Sequence, residues 1–292
     1  MTTRALVLGG GGPVGIAWET GLIAGLAQAG VDLARADFIL GTSAGAFVGA
    51  RLGLGADPKA IAEPILAEAA KPAREGAARP AADLTKLMQM MGEAQTGVRN
   101  PTEVRAEIGA YALEAPTMDE GAFLQSFGRS FANLPDLAWP EKEFACTAVD
   151  AVDGGFRLWT RASGVGVTRA VASSCSVPGI YPPVTLDGRR YIDGGMRSST
   201  NADMAAGYEV VVVVAVRAGG SGPVAERVAA RLAEEVQTLQ DGGAIVLVIE
   251  PDEASQEAFG DNLMDFAKRP DAVRAGLAQG HADAEALKKY WG

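Results

Sequence analysis

The stretch that most constrains this chain is Phe38-Ile39-Leu40-Gly41-Thr42-Ser43-Ala44-Gly45, where an apolar run meets a serine with a glycine two positions to either side. Phe38 to Leu40 reads as the end of a buried strand, and Ala44 to Val48 as the start of a helix. A strand that becomes a helix within so few residues cannot carry bulky side chains at the flanking positions, which is the pattern of a nucleophile elbow. Such an elbow holds the serine oxygen clear of the backbone at a helix N-terminus, whose free N–H groups and dipole favour developing negative charge. The same pentapeptide also suits a serine that merely caps a helix after a glycine-rich turn. The rest of the chain has to decide between the two.

Ahead of the elbow, Ala5 to Leu8 predicts a short buried strand running into Gly9-Gly10-Gly11-Gly12-Pro13-Val14-Gly15. A helix follows, with Trp18, Leu22, Leu26 and Ala29 on one stripe and Gly30 as its stop. Gly10-x-Gly12-x-x-Gly15 in this context matches a dinucleotide-binding fingerprint, with Asp32 roughly where a ribose-binding acid would be sought. However, Asp32 precedes the next strand, whereas the fingerprint wants its acid at the strand's end, and that place is taken by the serine elbow. Consecutive glycines can also present several backbone N–H groups towards one point, as an oxyanion hole needs.

Beyond the elbow the texture changes. From Asp57 to about Leu137, Ala, Glu, Arg and Met dominate, and prolines at 58, 64, 72, 80, 101, 116 and 135 predict a series of short helices with a loop around Gly92 to Pro101. Leu87, Met88, Met90 and Met91 are its most apolar cluster, either ordinary helix core or a flexible surface that admits acyl chains. Strand patterns return at Glu143 to Val149 and Phe156 to Thr160, joined by a turn at Asp153-Gly154-Gly155. Gly166 to Ala172 reads as a short helix, and 172–183, dense in small residues and prolines, as a rigid packed loop. A second hairpin joins Val184–Leu186 to Arg189–Ile192 through Asp187-Gly188 and ends in Asp193-Gly194-Gly195. Val210 to Val216 predicts a central buried strand, Val224 to Leu239 an amphipathic helix, Ala244 to Ile249 a further buried strand, and Asp271 to Tyr290 a last helix. This order argues for a layered α/β fold. With 292 residues, 48% of them hydrophobic, the chain reads as a single domain over 1–292 with a helical cap insertion at about 57–137.

Composition narrows the partners. A net charge of −10 repels phosphate backbones, so nucleic acid is set aside, and any membrane contact is expected to be local, apolar and transient. Cys146 and Cys175 lie in apolar or small-residue segments and read as two buried thiols, without the spacing of a zinc site. No cofactor or metal is called for. The longest strongly apolar run, Val210 to Val216, has strand length, and glycines interrupt the apolar start of the chain before it could act as a leader, so a cytoplasmic location is expected.

A serine nucleophile needs a base. The chain holds one histidine, His281, in the polar context Gln279-Gly280-His281-Ala282-Asp283 of the last helix, where a solvated surface residue is expected. A carboxylate is the other candidate, and three Asp-Gly-Gly triplets compete. Asp153 sits in a hairpin turn and Asp241 in a helix–strand connection, whereas Asp193 stands at a strand exit with two glycines that allow close backbone approach.

Four features, in this order, resemble the patatin-like phospholipases, lipid acyl hydrolases that use a Ser–Asp dyad. They are Gly10-Gly11-Gly12-x-x-Gly15, Gly41-Thr42-Ser43-Ala44-Gly45, Ala172-Ser173 leading to Pro178-Gly179 and Pro182-Pro183, and Asp193-Gly194-Gly195, spanning residues 4 to about 200. The resemblance implies a three-layer α/β/α fold, Ser43 as nucleophile, Asp193 as its base, and an oxyanion hole from the N–H groups of Gly10, Gly11 and Gly12. Each such donor is worth roughly 2.7–4 kcal/mol in the transition state. A carboxylate is a weak base, so the scheme implies an Asp193 that burial has raised in pKa. The family usually carries Arg or Lys at the second variable position of the glycine loop, where this chain has Val14. The resemblance therefore implies hydrolysis of lipid acyl esters in general, with phospholipid as one possible substrate and a catalytically silent fatty-acid-binding protein as the alternative.

Overall fold

The computed structural model describes residues 2–69, 85–94, 99–128, 130–131, 134–216 and 223–291. β1 (Arg4–Leu8) leads into α1 (Gly12–Gln28), and β2 (Phe38–Gly41) into α2 (Ala44–Gly53). Then come α3 (Glu63–Ala69), α4 (Thr85–Ala94), α5 (Pro101–Glu114) and α6 (Glu120–Gly128), with no strand between them among the described residues. β3 (Glu143–Asp150) and β4 (Phe156–Trp159) form a hairpin, α7 (Val167–Ser174) follows, and β5 (Val184–Leu186) and β6 (Arg189–Asp193) form a second hairpin. β7 (Val210–Val214), α8 (Pro223–Asp241), β8 (Ile245–Ile249), α9 (Glu253–Phe259) and α10 (Arg269–Trp291) complete the chain.

The strands join in the order β5-β6-β3-β2-β1-β7-β8, with β4 beside β3. β8, β7, β1, β2 and β3 run parallel, while β4 and β6 are antiparallel to β3. Side chains alternate across the sheet. Leu6, Leu8 and Ile39 face a layer containing Trp18, Leu22 and Trp291, and Ala5, Val7, Leu40, Val211 and Val213 face the opposite layer with Leu232 and Leu239. The result is the three-layer α/β/α arrangement. Register then does the work of placing the site. Leu8 pairs with both Gly41 and Val214, so the glycine loop leaves β1 beside the point where the elbow leaves β2. Gly41 pairs with Cys146 of β3, and two residues further along Ala148 pairs with Asp193 of β6. Three strand ends thus deliver the glycine loop, Ser43 and Asp193 to one edge of the sheet.

Three local expectations are corrected. α1 is buried nearly all round from Pro13 to Ala27, not along a stripe, because α10 lies across the face that the sheet does not cover. β8 is not a buried strand: it pairs only with β7 among the described residues, leaving Ile245 47% and Val248 40% exposed. An apolar run of strand length does not distinguish an edge from an interior position. The first residues of 172–183 belong to α7, and the loop begins at Cys175.

The segment at 57–137 distributes its described helices over both faces of the sheet. α3 packs against α10 and α6 against α7, while α5 packs on the opposite face against β3 and β6. There Leu87 and Met90 join Val104 and Ile108 over Val149 and Ile192, which makes them helix core and not an acyl-binding surface. The side chains of Met88 and Met91, and Pro72 and Pro80, lie outside the described residues. Of the expected loop from Gly92 to Pro101, residues 92–94 belong to α4 and 95–98 lie outside the described residues.

Candidate active site

Ser43 sits at the first turn of α2 with φ 52° and ψ −113°, a backbone conformation that a non-glycine residue adopts only where its surroundings hold it there. The flanking glycines explain the tightness. A Cβ at Gly45 would overlap the Leu8 carbonyl of β1, and one at Gly41 would overlap the backbone of Ala46. The strain is held by three anchors. The Ser43 N–H donates to Ser174 Oγ at 3.0 Å, and the Ser43 carbonyl accepts from Cys175 Sγ at 3.1 Å and from the Phe47 N–H at 3.2 Å. Ser43 is 6% exposed.

Asp193 ends β6 and is 2% exposed. Its Oδ1 accepts the Gly195 N–H at 2.7 Å, and the Ser43 side chain lies close enough to the same carboxylate to lower its pKa. Burial raises the pKa of Asp193 to about 7, against the opposing pull of the Ser43 side chain and the Gly195 N–H. A buried carboxylate raised into this range is basic enough to accept a hydroxyl proton near neutral pH. Thus the two residues singled out in the sequence come together, 150 positions apart in the chain.

The glycine loop divides its donors. The Gly10 N–H, expected as an oxyanion donor, is instead donated to Ser199 O at 2.7 Å. The N–H groups of Gly11 and Gly12 make no hydrogen bond among the described residues. Gly12, with φ 57°, shares the wall of one cavity with Ser43.

That cavity has a volume of about 450 Å³. Apolar side chains dominate it, among them Phe47, Phe123, Phe127, Val177, Tyr181 and Met264. Phe123 stacks on Tyr181 with ring centroids 4.8 Å apart, and Phe127 meets Phe47 edge-on at 6.1 Å. An alkyl chain fits such a lining.

The structure also answers the rival readings. Residues Leu263 and Met264 cover the start of α1: the Val14 N–H donates to Leu263 O at 3.2 Å, and a Cβ at Gly12 would fall 2.7 Å from that oxygen. The Val14 N–H is thereby withheld from a pyrophosphate, and the Asp32 side chain is engaged in capping the turn at 33–35 by accepting the Ala34 N–H at 2.9 Å. His281 is exposed on α10 and pairs with Gln28 Oε1 at 3.1 Å, away from the cavity wall. Cys146 and Cys175 are free and buried, and burial raises both thiols.

A set of positioning residues carried no local signal in the sequence. Asn201, wholly buried with φ 51°, donates from Nδ2 to Thr42 Oγ1 at 3.1 Å, to Ser198 O at 2.7 Å and to Gly194 O at 3.3 Å. One amide thereby ties the elbow to the turn after Asp193. The Thr42 and Thr147 hydroxyls meet at 2.9 Å within the same network. Glu235, buried at the other side of Thr200, accepts from Thr200 Oγ1 at 2.6 Å and from the Ala202 N–H at 2.9 Å, fixing the backbone on which Asn201 stands. Glu19 is also buried, and burial raises it well above the carboxylate range against an opposing pull from the Gly9 backbone.

A family model described as patatin-like phospholipase matches residues 6–206, which contain the glycine loop, Ser43 and Asp193. Among solved structures, VipD from Legionella pneumophila is 16% identical over 98% of this chain and 67% of its own, with a TM-score of 0.49. ExoU in the ExoU–SpcU complex of the Pseudomonas aeruginosa type III secretion system is 16% identical over 100% of this chain, with a TM-score of 0.41. This chain spans 52% of that one, about half its length. A search of curated proteins found no sequence match.

Proposed function

Because the chain belongs to the patatin-like phospholipase family of lipid acyl hydrolases, we propose that it cleaves acyl esters of lipids through a Ser43–Asp193 dyad. The observation that carries this reading is the Ser43 side chain beside a buried Asp193 carboxylate, on the wall of an apolar cavity. Asp193 takes the hydroxyl proton as Ser43 Oγ attacks the ester carbonyl. The oxyanion is held by the Gly11 and Gly12 N–H groups, the donors of the loop that the fold leaves uncommitted. Collapse of the intermediate expels the alcohol, which takes the proton from Asp193 and leaves the acyl group on Ser43. Water, deprotonated by Asp193, then attacks the acyl-enzyme and releases the fatty acid.

The helical segment at 57–137 acts as a cap in this reading, since α6 supplies Phe123 and Phe127 to the cavity. Among the described residues no helix is long and apolar enough to cross a membrane. Contact with a lipid surface is instead local, through Phe266 and Met118, which line the cavity and are 42% and 40% exposed.

The pH profile tests the dyad. With an uncharged medium-chain p-nitrophenyl ester, kcat/KM is expected to fall about tenfold per pH unit below the Asp193 pKa of about 7 and to level off above it. The same limb should persist in His281→Ala, with turnover within twofold of wild type. A limb that disappears in the histidine variant would assign the base to His281 and overturn the dyad.

A further inference from the structure

The path of the sheet ends at β5 on one side and β8 on the other, and the two edges are finished differently. On β5 the outward groups of Thr185 are met by side chains. Its N–H donates to Glu120 Oε1 at 2.7 Å, and its carbonyl accepts from Arg169 Nη2 at 3.0 Å. β8 has no such cover among the described residues. Ile245–Ile249 also contains no charge, no proline and no break in its register against β7, the devices by which an edge is kept from pairing.

Register decides which backbone groups of β8 point outwards. The Ile245 N–H donates to Glu209 O at 2.8 Å, and Ile249 O accepts the Ala215 N–H at 2.9 Å. In a parallel ladder alternate residues of a strand bond the same neighbour, so Ile245, Leu247 and Ile249 serve β7. Val246 and Val248 therefore turn both N–H and C=O away from it. On either side of them a group is already taken. The Ala244 N–H donates to Leu239 O at 3.1 Å, and Glu250 O accepts from Gln279 Nε2 at 2.8 Å. Two N–H and two C=O groups, on Val246 and Val248, are left unmatched among the described residues.

We propose that two copies of this chain associate through β8, which pairs antiparallel with β8 of the second copy about a two-fold axis at Leu247. The strand fits this arrangement, because Ile245-Val246-Leu247-Val248-Ile249 reads the same in both directions. Such an axis sets Val246 opposite Val248 of the second copy, Ile245 opposite Ile249, and Leu247 opposite Leu247. Val246 and Val248 then exchange both hydrogen bonds, twice over by symmetry, which satisfies every group left open. An axis at Val246 would instead bring Val248 onto Ala244, and an axis at Val248 would bring Val246 onto Glu250, each with a group already engaged. The exposed side chains also gain cover. Val248, 40% exposed, meets Val246 of the second copy, and Ile245, 47% exposed, meets Ile249, both residues packed on a core layer. Acids flank the strand, Asp241 before it and Glu250 and Asp252 after it, so each end of the pair gathers like charge from both copies. Salt screens that repulsion and tightens the dimer. The paired strands run in opposite directions, so the sheet edges bearing Ser43 point apart and the assembly stands independently of the hydrolytic reading.

Sedimentation velocity of the full chain over a range of concentrations reads the association. Wild type should pass from monomer to dimer as concentration rises, with a dissociation constant that falls at higher salt. Val248→Lys and Val248→Pro should each weaken the dimer at least tenfold. The lysine sets charge on the edge, and the proline removes an outward N–H while keeping the bonds to β7. Val152→Lys, which replaces an apolar side chain 65% exposed in the turn after β3, should leave the constant within twofold. Cysteines read the register independently, since Cys146 and Cys175 are buried. Directly opposed residues of a non-hydrogen-bonded pair have Cα atoms about 4.5 Å apart, within disulfide reach. Leu247→Cys should therefore cross-link into a reducible dimer under mild oxidation. Ile245→Cys, offset from its own counterpart by four residues or roughly 14 Å, should not. A wild type that stays monomeric at every concentration would overturn the proposal, as would a dimer that both Val248 variants leave intact or that salt loosens. Cross-linking by Ile245→Cys in place of Leu247→Cys would overturn the register.

Discussion

Asp193→Asn is expected to lower kcat by three orders of magnitude or more while making the protein more stable above pH 7. The two effects share one cause. Asp193 is 2% exposed, and burial raises its pKa to about 7, whereas an unfolded aspartate titrates near 3.9. Between these values the folded chain holds a proton that the unfolded chain has lost. Stability therefore is full below about pH 4, declines as pH rises, and reaches its lower plateau once pH passes the folded pKa. At 1.36 kcal/mol per unit of pKa the loss is of order 4 kcal/mol, an upper figure for a site that relaxes around its charge. Asparagine cannot ionise. It keeps an oxygen for the Gly195 N–H and an amide for Ser43 Oγ, but it cannot take the serine proton, which removes the base from both half-reactions. Thermal melts at pH 4 and pH 8 check the stability arm: the two proteins should melt together at pH 4, with the variant higher at pH 8. A variant less stable than wild type at pH 8 would mean that Asp193 is ionised through favourable contacts, contrary to its burial.

Gly45→Ala carries the largest expected cost to folding. A Cβ there would overlap the carbonyl oxygen and carbonyl carbon of Leu8, backbone atoms of an interior strand of the sheet. A flexible side chain could turn aside, but β1 is pinned by β2 on one side and β7 on the other. Overpacking in a core costs typically 1–3 kcal/mol, and against immovable backbone we expect about 3 kcal/mol or more. Gly128→Ala, at the end of α6 where nothing lies within 4 Å of the added carbon, is the control and should stay within about 0.5 kcal/mol. Urea denaturation of the pair reads the difference. Equal midpoints would show that the elbow does not need its small flanking residue.

The elbow and Asp193 were legible in the sequence because each leaves a local mark. At Gly41 and Gly45 neighbouring backbone comes within overlap distance of a Cβ, and Asp193 stands at a strand exit and not in a hairpin turn or a helix–strand connection. Burial of Val210 to Val214 could likewise be read from an unbroken valine run. What lay outside the sequence's reach depends on contacts between distant segments. Ser174 meets the Ser43 N–H across 131 positions, and Asn201 meets Thr42 across 159. Neither residue differs in its neighbourhood from an ordinary buried polar group. The commitment of the Gly10 N–H to Ser199 could not be foreseen either, because four consecutive glycines look alike until a distant segment engages one of them. β8 illustrates the same limit in reverse: its composition is that of a core strand, and only its place at the edge leaves Ile245 and Val248 in solvent.

The central claim is that Ser43 is an activated nucleophile. Intact-protein mass after incubation with a long-chain alkyl fluorophosphonate tests it most directly, comparing wild type with Ser43→Ala. The account expects a single phosphonyl adduct on wild type and none on the variant, with labelling slowed below pH 7 as Asp193 takes up its proton. An adduct of equal yield on Ser43→Ala, or none on a wild type that binds the alkyl chain, would contradict it.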